Sequence, residues 1–252
     1  MRLSRARRHW EALGRSDPFR AILSRDDAGD DQWDIDEFFA TGETEIIGMM
    51  AHLAALGIEP DRSKALDFGC GVGRLTRALA RRFDDVWGVD IAPSMIDLAR
   101  RYDRYPGRCH FAVNARPDLR MFDSDRFGLI YSSIVLQHVE SRYQMRYLSE
   151  FLRVLSPGGV LVFQLPSTPI VPTEGGSARP FLRSIAPPTV LTRYRKLRLE
   201  VAQVGRGPRM EMWGTPRALV ERHLKARGAN LLDVRPDERA SGWTGYLYSV
   251  SK

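Results

Sequence analysis

The sequence is poor in residues that several familiar classes of protein need. It has two cysteines in 252 residues, too few for a disulfide scaffold or a structural zinc site. No apolar run approaches the roughly 18 residues that span a bilayer. The N-terminus, MRLSRARRHWEALG, is basic like a secretion signal but has no apolar segment behind it. We therefore expect a cytoplasmic protein with no metal site and no membrane partner.

Lysine is also scarce. Only four of the 38 basic residues are lysines, and the formal net charge is +7. Seven of the basic residues lie between Arg183 and Arg209. Such a segment attracts nucleic acid or an anionic substrate, but it is more often a solvated helix face, which is the interpretation we favour.

The order of hydrophobic patterns predicts an α/β fold. Residues 1–60 carry apolar residues at helical spacing, which predicts a helical N-terminal extension. From Ala65 onward, short apolar runs alternate with helical stretches, as in right-handed βαβ crossovers. The predicted strands are 65–68, 86–89, 110–113, 129–132, 160–165, 230–234 and 243–250, and the predicted helices are 74–83, 93–105, 142–155 and 216–227.

This order indicates a domain over residues 61–252. We expect a Rossmann-like, seven-stranded, mostly parallel sheet with helices on both faces and an antiparallel last strand. The last two strands are close in sequence and predict a hairpin at a sheet edge. Residues 156–159 predict a turn before the fifth strand. The alternation stops at about 166–211, and an insertion of this length predicts a lid or an acceptor-binding segment.

The loop after the first strand is the most informative segment. It reads Asp67-Phe68-Gly69-Cys70-Gly71-Val72-Gly73-Arg74, with a glycine at every second position and a helix directly after it. Glycine allows positive φ and lets a ligand approach the backbone, and a helix start presents free N–H groups. A dinucleotide fingerprint would need glycine at residue 74, and the Gly-Lys-Ser/Thr ending of a P-loop is absent. The next strand ends in Asp90, whose carboxylate can accept from both hydroxyls of a ribose.

Together, the Asp-x-Gly-x-Gly-x-Gly loop, the strand-end Asp90 and the helix start Pro93-Ser94-Met95 resemble class I S-adenosylmethionine-dependent methyltransferases. The turn at 156–159 fits their small-molecule branch. The resemblance covers residues 64–165 clearly and the later strands in outline. It implies S-adenosylmethionine as cofactor, S-adenosylhomocysteine as product, and a small-molecule acceptor methylated on oxygen, nitrogen or carbon. The cofactor-binding residues that it implies are Asp67, Gly69, Cys70, Gly71, Gly73, Asp90, Ile91, Met95, Asn114, Ala115, Ile134 and Gln137.

The resemblance also implies roles for these residues. Asp67 is expected near the methionine amino group, while the loop amides and the helix start face its carboxylate. Ile91 and Met95 are expected to pack on the adenine. Asn114-Ala115 stands where the family usually has an acid followed by a small residue, and an asparagine side chain can both accept from the adenine amino group and donate to a ring nitrogen.

His138 follows the fourth strand and is the candidate catalytic base. The alternative is that His138 caps or packs the next helix while Gln137 faces the cofactor. The acceptor pocket is expected between the N-terminal helices and the insertion. Aromatic side chains there would suit an apolar acceptor, whereas arginines of the insertion would clamp an anionic one. The candidates are Phe38, Phe39, Tyr143, Tyr194, Trp213 and Trp243 for the first, and Arg183, Arg193, Arg195 and Arg198 for the second.

Three other functions compete with this interpretation. A nucleic-acid methyltransferase is the nearest, but the Asn/Asp-Pro-Pro-aromatic motif of amine-modifying enzymes is replaced by Ser132-Ser133-Ile134-Val135. Nucleic acid is therefore not the expected partner. A non-catalytic module that binds S-adenosylmethionine would share the same loop and Asp90. A nicotinamide dehydrogenase is the weakest alternative because of Arg74.

Overall fold

The computed structural model describes residues 3–23, 33–170, 211–240 and 242–252. Three helices come first: α1 (Leu3–Ser16), α2 (Pro18–Ile22) and α3 (Ile35–Ala55). Aspartates cap the second and third: Asp17 accepts from the Arg20 amide at 3.2 Å, and Asp34 accepts from the Glu37 amide at 2.9 Å. The helical pattern predicted for the N-terminal residues is thus present, and α2 begins at Pro18, directly after its cap Asp17.

The alternating part of the chain contains every predicted strand and helix. In order, the elements are β1 (Lys64–Phe68), α4 (Arg74–Leu79), β2 (Asp85–Asp90), α5 (Pro93–Arg101), β3 (Cys109–Val113), β4 (Phe127–Ser132), a 3-10 turn (Leu136–His138), α6 (Ser141–Val154), β5 (Leu155–Pro169), α7 (Arg217–Lys225), β6 (Asn230–Asp237) and β7 (Trp243–Ser251).

Two helices end about four residues earlier than predicted. The last helical residue of α4 is Leu79, and the last of α5 is Arg101. Just beyond α5, the Asp103 carboxylate accepts from the Tyr105 amide at 2.8 Å. This local bond offers the backbone an alternative to continuing the helix.

The seven strands form one sheet in the order β3-β2-β1-β4-β5-β7-β6. The pairs from β3 to β5 are parallel, and β7 is antiparallel to both of its neighbours. This confirms the predicted sheet, including the terminal hairpin, with β6 at the edge. The strand order reverses beside β1, because β2 and β4 lie on opposite sides of it. Such a reversal opens a crevice at the carboxyl ends of the strands, where ligands of open α/β sheets bind.

The turn predicted at 156–159 is located inside β5 rather than before it. Leu155 pairs with Phe127, and Val160 pairs with Leu129, so the intervening residues form a bulge opposite Gly128. Gly158 lies there at a φ of +74°. Because pairing resumes on both sides of the bulge, the turn residues belong to the strand.

Helices cover both faces of the sheet. On one face, Phe151 of α6 and Leu224 of α7 are fully buried in the core. On the other face, Ile46 and Leu53 of α3 are buried against the sheet together with Leu79 of α4. Helix α3 therefore belongs to the layer that covers the sheet, although residues 1–60 were predicted to be an extension. Most of the predicted insertion, residues 171–210, lies outside the described residues.

Candidate functional site

A cavity opens at the carboxyl ends of β1 to β4. Each of these strands contributes one residue at its carboxyl end to the lining. These residues are Phe68, Asp90, Asn114 and Ser133. Its volume is about 1030 Å³ when the space open to solvent is counted, which is at the upper end of the range for small-molecule sites. The cavity thus lies at the topological switch point that the strand order creates.

The glycine loop forms one wall of the cavity. Gly69, Gly71 and Gly73 have φ angles of +80°, +52° and +83°. A Cβ on Gly69 would lie 2.3 Å from Cγ2 of Val135, so both the backbone angle and the close approach of the next loop require glycine there. Since Gly69 and Gly71 line the cavity, this turn brings the main chain to its surface.

The amides of this loop are directed inward. Gly69 and Cys70 both donate to the Val89 carbonyl, and Gly73 donates to the Cys70 carbonyl. The Gly71 amide donates to Asp90. The expectation that loop amides face a ligand carboxylate is therefore wrong for these four groups. These N–H groups hold the turn together and are therefore not free for a ligand. The sequence pattern alone does not show this.

Asp90 is held in place by main-chain amides at the end of β2. Its Oδ2 accepts from the Gly71 amide at 3.0 Å, and its Oδ1 accepts from the Ala92 amide at 2.9 Å. Burial raises the pKa of this carboxyl, and the amide hydrogen bonds oppose that shift. Each carboxylate oxygen has further lone pairs, so a fixed pair of acceptors borders the cavity.

The structure brings eight of the thirteen predicted site residues to the cavity and leaves five outside its lining. The eight are Gly69, Gly71, Asp90, Ile91, Met95, Asn114, Ile134 and His138. The five that do not line it are Asp67, Cys70, Gly73, Ala115 and Gln137.

Two of the five residues are buried behind the loop. Asp67 accepts a hydrogen bond from the Thr76 hydroxyl at 2.6 Å, and burial raises the pKa of its carboxyl to about 7. The Cys70 thiol is also buried, which raises its pKa. Both side chains support the loop from within the domain.

The Asn114 side chain is engaged within its own loop. Its Nδ2 donates to the Asp118 carbonyl at 3.0 Å, and its Oδ1 accepts from the Arg116 amide at 3.2 Å. One amide hydrogen and one lone pair remain for a ligand. Its neighbour Ala115 is exposed.

His138 lies at the cavity in a buried, hydrogen-bonded position. Its Nδ1 is 3.3 Å from the Glu211 carbonyl, which can only accept, so this nitrogen carries the hydrogen. Its Nε2 then accepts from the side-chain amide of Gln137 at 3.2 Å. Burial lowers the pKa of His138 to about 4. The ring is therefore neutral near pH 7, and it contacts Trp10 edge-on with a centroid distance of 5.2 Å.

The backbone is strained at the end of β4. Ile134 has a φ of +59°, an angle that β-branched residues rarely adopt. The residue lines the cavity, and its neighbour Val135 packs against Gly69. Strain of this kind often accompanies a binding site, and here it brings the loops after β1 and β4 together.

The N-terminal helices supply lining residues that the sequence analysis did not assign. These are Leu3, Ala6 and Trp10 of α1 and Ala21 and Ile22 of α2. The spacing of the three α1 residues on one helix face is the signal that could have identified them.

Of the aromatic residues predicted for the acceptor pocket, Tyr143 lines the cavity. Phe38 and Phe39 are buried in the core instead, because each packs edge-on against neighbouring aromatic rings. Trp213 and Trp243 do not line the cavity. Tyr194 and the four candidate arginines lie outside the described residues.

A half-buried carboxylate links α3 to the cavity wall. Glu45 accepts from Arg74 at 2.7 Å through Oε2. Its Oε1 accepts from the hydroxyls of Tyr131 and Ser133 at 2.8 and 2.6 Å, and from Arg239 at 3.1 Å. Arg74 and Ser133 line the cavity, so Glu45 holds two lining residues in place from behind.

The described ranges show no other kind of centre. They contain no group of three or more His, Cys, Asp or Glu residues placed to hold a metal ion. They also contain no helix that is long and apolar enough to cross a membrane. The sheet and the cavity at its switch point, with Asp90 at a strand end, define a Rossmann-like domain.

Comparison with known proteins shows what the central part of the chain is similar to. Residues 65–159 match the family described as "Methyltransferase domain". This span contains the glycine loop, Asp90 and His138. Over these residues the chain is therefore similar to methyltransferase domains, in agreement with its resemblance to class I S-adenosylmethionine-dependent methyltransferases.

Curated relatives match the chain over its central part. Nodulation protein S of Rhizobium tropici is 31% identical over 144 residues, which are 56% of this chain and 58% of the relative. Trans-aconitate 2-methyltransferase of Methylobacterium radiotolerans is 33% identical over 153 residues, 58% of this chain and 55% of the relative. The chain thus spans little more than half the length of these relatives.

A solved structure matches over nearly the whole chain. Magnesium protoporphyrin IX methyltransferase from Synechocystis, crystallised with bound S-adenosylhomocysteine, superposes with a TM-score of 0.61. The match covers 99% of both chains at 18% identity, so it supports the fold alone.

Proposed function

We propose that the protein transfers a methyl group from S-adenosylmethionine to a small-molecule acceptor with an apolar body. The observation that carries this proposal is the fixed Asp90 carboxylate at the mouth of the glycine loop. Its two oxygens, oriented by the Gly71 and Ala92 amides, suit the adjacent hydroxyls of an unmodified ribose. Ile91, Met95 and Asn114 line the same cavity and would hold the adenine.

The chemistry divides between the cofactor and the chain. S-adenosylmethionine supplies an electrophilic methyl group when it is bound. The chain has to hold the acceptor at near-attack distance and exclude water. Trp10, Val139 and Tyr143 give the cavity an apolar wall beside His138, which suits an acceptor with an apolar or aromatic body.

Within this proposal, His138 acts as a neutral polar group beside the acceptor. Its Nε2 lone pair is already engaged by Gln137, and its pKa of about 4 makes it a weak base. Accepting a proton from the acceptor requires Gln137 to release Nε2. The geometry thus favours a role for His138 in positioning the acceptor. Nε2 is also the nitrogen that would accept a proton, once Gln137 has released it.

The test is calorimetric titration with S-adenosylmethionine, S-adenosylhomocysteine and NAD in parallel. We expect binding of the two sulfur nucleosides and no binding of NAD. Asp90→Ala should weaken nucleoside binding by about 1–3 kcal/mol, because the ribose hydroxyls lose a charged acceptor. Asp97→Ala is the matched control, since this exposed carboxylate lies on α5 outside the cavity. Equal affinities of Asp90→Ala and the intact protein would remove Asp90 from the site, and a preference for NAD would refute the proposal.

Turnover is tested separately from binding. Release of S-adenosylhomocysteine is measured with a panel of phenols and hydroquinones and, in parallel, a panel of aliphatic carboxylates. We expect turnover with members of the first panel. Turnover with carboxylates alone would contradict the apolar acceptor, and binding without turnover on any panel would favour a non-catalytic module.

A further inference from the structure

Arg74 is a buried cation at the cavity that the methyl-transfer chemistry described above does not use. It is the first residue of α4, directly after the glycine loop, and its side chain is only 5% exposed. Because an ionised side chain is costly to bury, its full set of partners should be present in the working protein.

Residues of α3 hold the guanidinium group of Arg74. Nη2 donates to Glu45 at 2.7 Å, and Nη1 donates to the Thr41 hydroxyl at 3.3 Å. Gly42 permits this arrangement, since a Cβ there would lie 2.5 Å from the Arg74 carbonyl oxygen. Thr41 and Glu45 thus fix the position of the guanidinium, and Gly42 lets α3 approach the Arg74 main chain.

One donor of this fixed group has no acceptor. Nε of Arg74 is buried, and none of the described residues or their main-chain atoms accepts from it. Buried polar groups without a partner are rare in native proteins. Since Arg74 lines the cavity, a bound ligand can complete the set of hydrogen bonds.

The surrounding charges indicate which ligand group this is. Four amides of the glycine loop are used inside the turn and cannot bind an anion. The cation that remains at this wall is Arg74, whose guanidinium is held in a fixed position. A fixed guanidinium is the usual partner of a carboxylate, so the ligand group that would meet Arg74 is the carboxylate of an amino acid.

We propose that Arg74, clamped by Thr41 and Glu45, binds the carboxylate at the amino-acid end of the sulfur nucleoside. This inference rests on the proposed function. It replaces the loop amides as the expected donors and makes α3 part of the cofactor site. It also makes Arg74 a specificity determinant, because a nucleoside without the carboxylate leaves Nε unpaired.

The experiment compares two ligands that differ only in this carboxylate. The probes are S-adenosylhomocysteine and S-adenosyl-3-thiopropylamine, which is the same molecule without the carboxylate. Arg74→Gln should weaken binding of S-adenosylhomocysteine by about ten- to a hundredfold, the range for hydrogen bonds to charged groups. Its affinity for the thiopropylamine should change by less than about threefold. The ratio of the two affinities does not depend on the fraction of folded protein, so partial unfolding cannot imitate this result.

Two variants serve as controls. Arg74→Lys keeps the charge but has no Nε–H, and we expect an intermediate loss for S-adenosylhomocysteine only. Arg77→Gln removes an arginine of the same helix that covers the Phe39 ring outside the cavity, and neither affinity should change.

Other results would overturn the inference. Equal losses for both probes in Arg74→Gln would mean that the arginine only supports the fold. An unchanged affinity for S-adenosylhomocysteine, with a raised KM for the acceptor, would assign Arg74 to the acceptor instead. If the intact protein binds neither probe, the proposed function itself fails.

Discussion

At the scale of single residues, burial shifts the pKa values of two titratable groups, His138 and Asp67, in opposite directions. Burial lowers the pKa of His138 to about 4, below its usual value of 6.5, and raises the pKa of Asp67 from 3.8 to about 7. Between about pH 4 and 6.5 the unfolded chain binds more protons at His138, so the stability it contributes is lost as the pH falls. Between about pH 4 and 7 the folded protein binds more protons at Asp67, so that contribution is lost as the pH rises.

Substitution should separate the two effects. His138→Gln removes the His138 contribution and leaves that of Asp67, so the free energy of unfolding should decrease from about pH 4.5 to pH 6.5 relative to the intact protein. In Asp67→Asn it should increase over the same interval. Urea unfolding at both pH values measures each slope, with His110→Gln as a control because that side chain is 40% exposed. Identical slopes in all proteins would show that neither group titrates as its burial implies.

How far the sequence predicts a residue's role depends on how local its environment is. The positions of Gly69 and Asp90 follow from a strand, a turn and a strand end, so the sequence analysis found both. The environment of His138 depends on the Glu211 carbonyl, 73 residues away, and on Trp10 of α1. The partners of Arg74 likewise come from α3. Contacts of this kind leave no periodic pattern in the sequence. From the sequence alone, Arg74 therefore only argues against a dinucleotide site.

At the scale of elements, α1 is attached to the domain through the start of α5. Glu11 of α1 accepts from the Ser94 amide at 2.9 Å, and the Ser94 hydroxyl donates to the Glu11 carbonyl at 3.2 Å. The residue before α5 is Ala92, which offers no side-chain cap. Glu11 therefore caps α5 from another helix and holds α1, with Trp10, over the cavity.

Removing this cap should loosen α1. We expect Glu11→Ala to cost about 1 kcal/mol, the usual effect of losing a helix cap, and to speed amide hydrogen exchange in α1. Arg15→Ala is the control, because it removes only the ion pair with Glu11 within α1. Unchanged exchange in Glu11→Ala would mean that the apolar contacts of α1 hold it without the cap.

Elements were easier to predict than their irregularities. Each strand has an apolar run and each of the helices α4 to α7 shows its period, so local patterns predict these elements. The bulge in β5 has the composition of a turn, Ser156-Pro157-Gly158-Gly159, and only the pairing with β4 shows that the strand continues.

At the scale of the whole molecule, the folded protein buries both of its cysteine thiols. Cys70 is 5% exposed and Cys109 is 7% exposed, and both are free. Burial raises the pKa of Cys70 and raises that of Cys109 to about 12. The nucleophilic thiolate is therefore scarce in the folded protein.

This arrangement predicts how the folded protein responds to a thiol reagent. The folded protein should react hardly at all with an aromatic disulfide reagent, so almost no aromatic thiolate is released. After unfolding in guanidinium chloride, two equivalents of aromatic thiolate should be released per chain. The thermal midpoint should not depend on added reductant. Rapid reaction of either thiol in the folded protein would contradict the burial described here, and Cys70→Ser and Cys109→Ser would show which one reacts.

The place of β7 in the sheet has a consequence for how the chain is made. Strand β7 follows β6 in the sequence but lies between β5 and β6 in the sheet. During synthesis from the N-terminus, the long hydrogen-bonding edge of β5 stays without its partner until residues 243–251 leave the ribosome. An exposed edge of this kind pairs readily with other chains. Until β7 is made, the growing chain therefore carries an unpaired strand edge that β7 covers in the folded sheet.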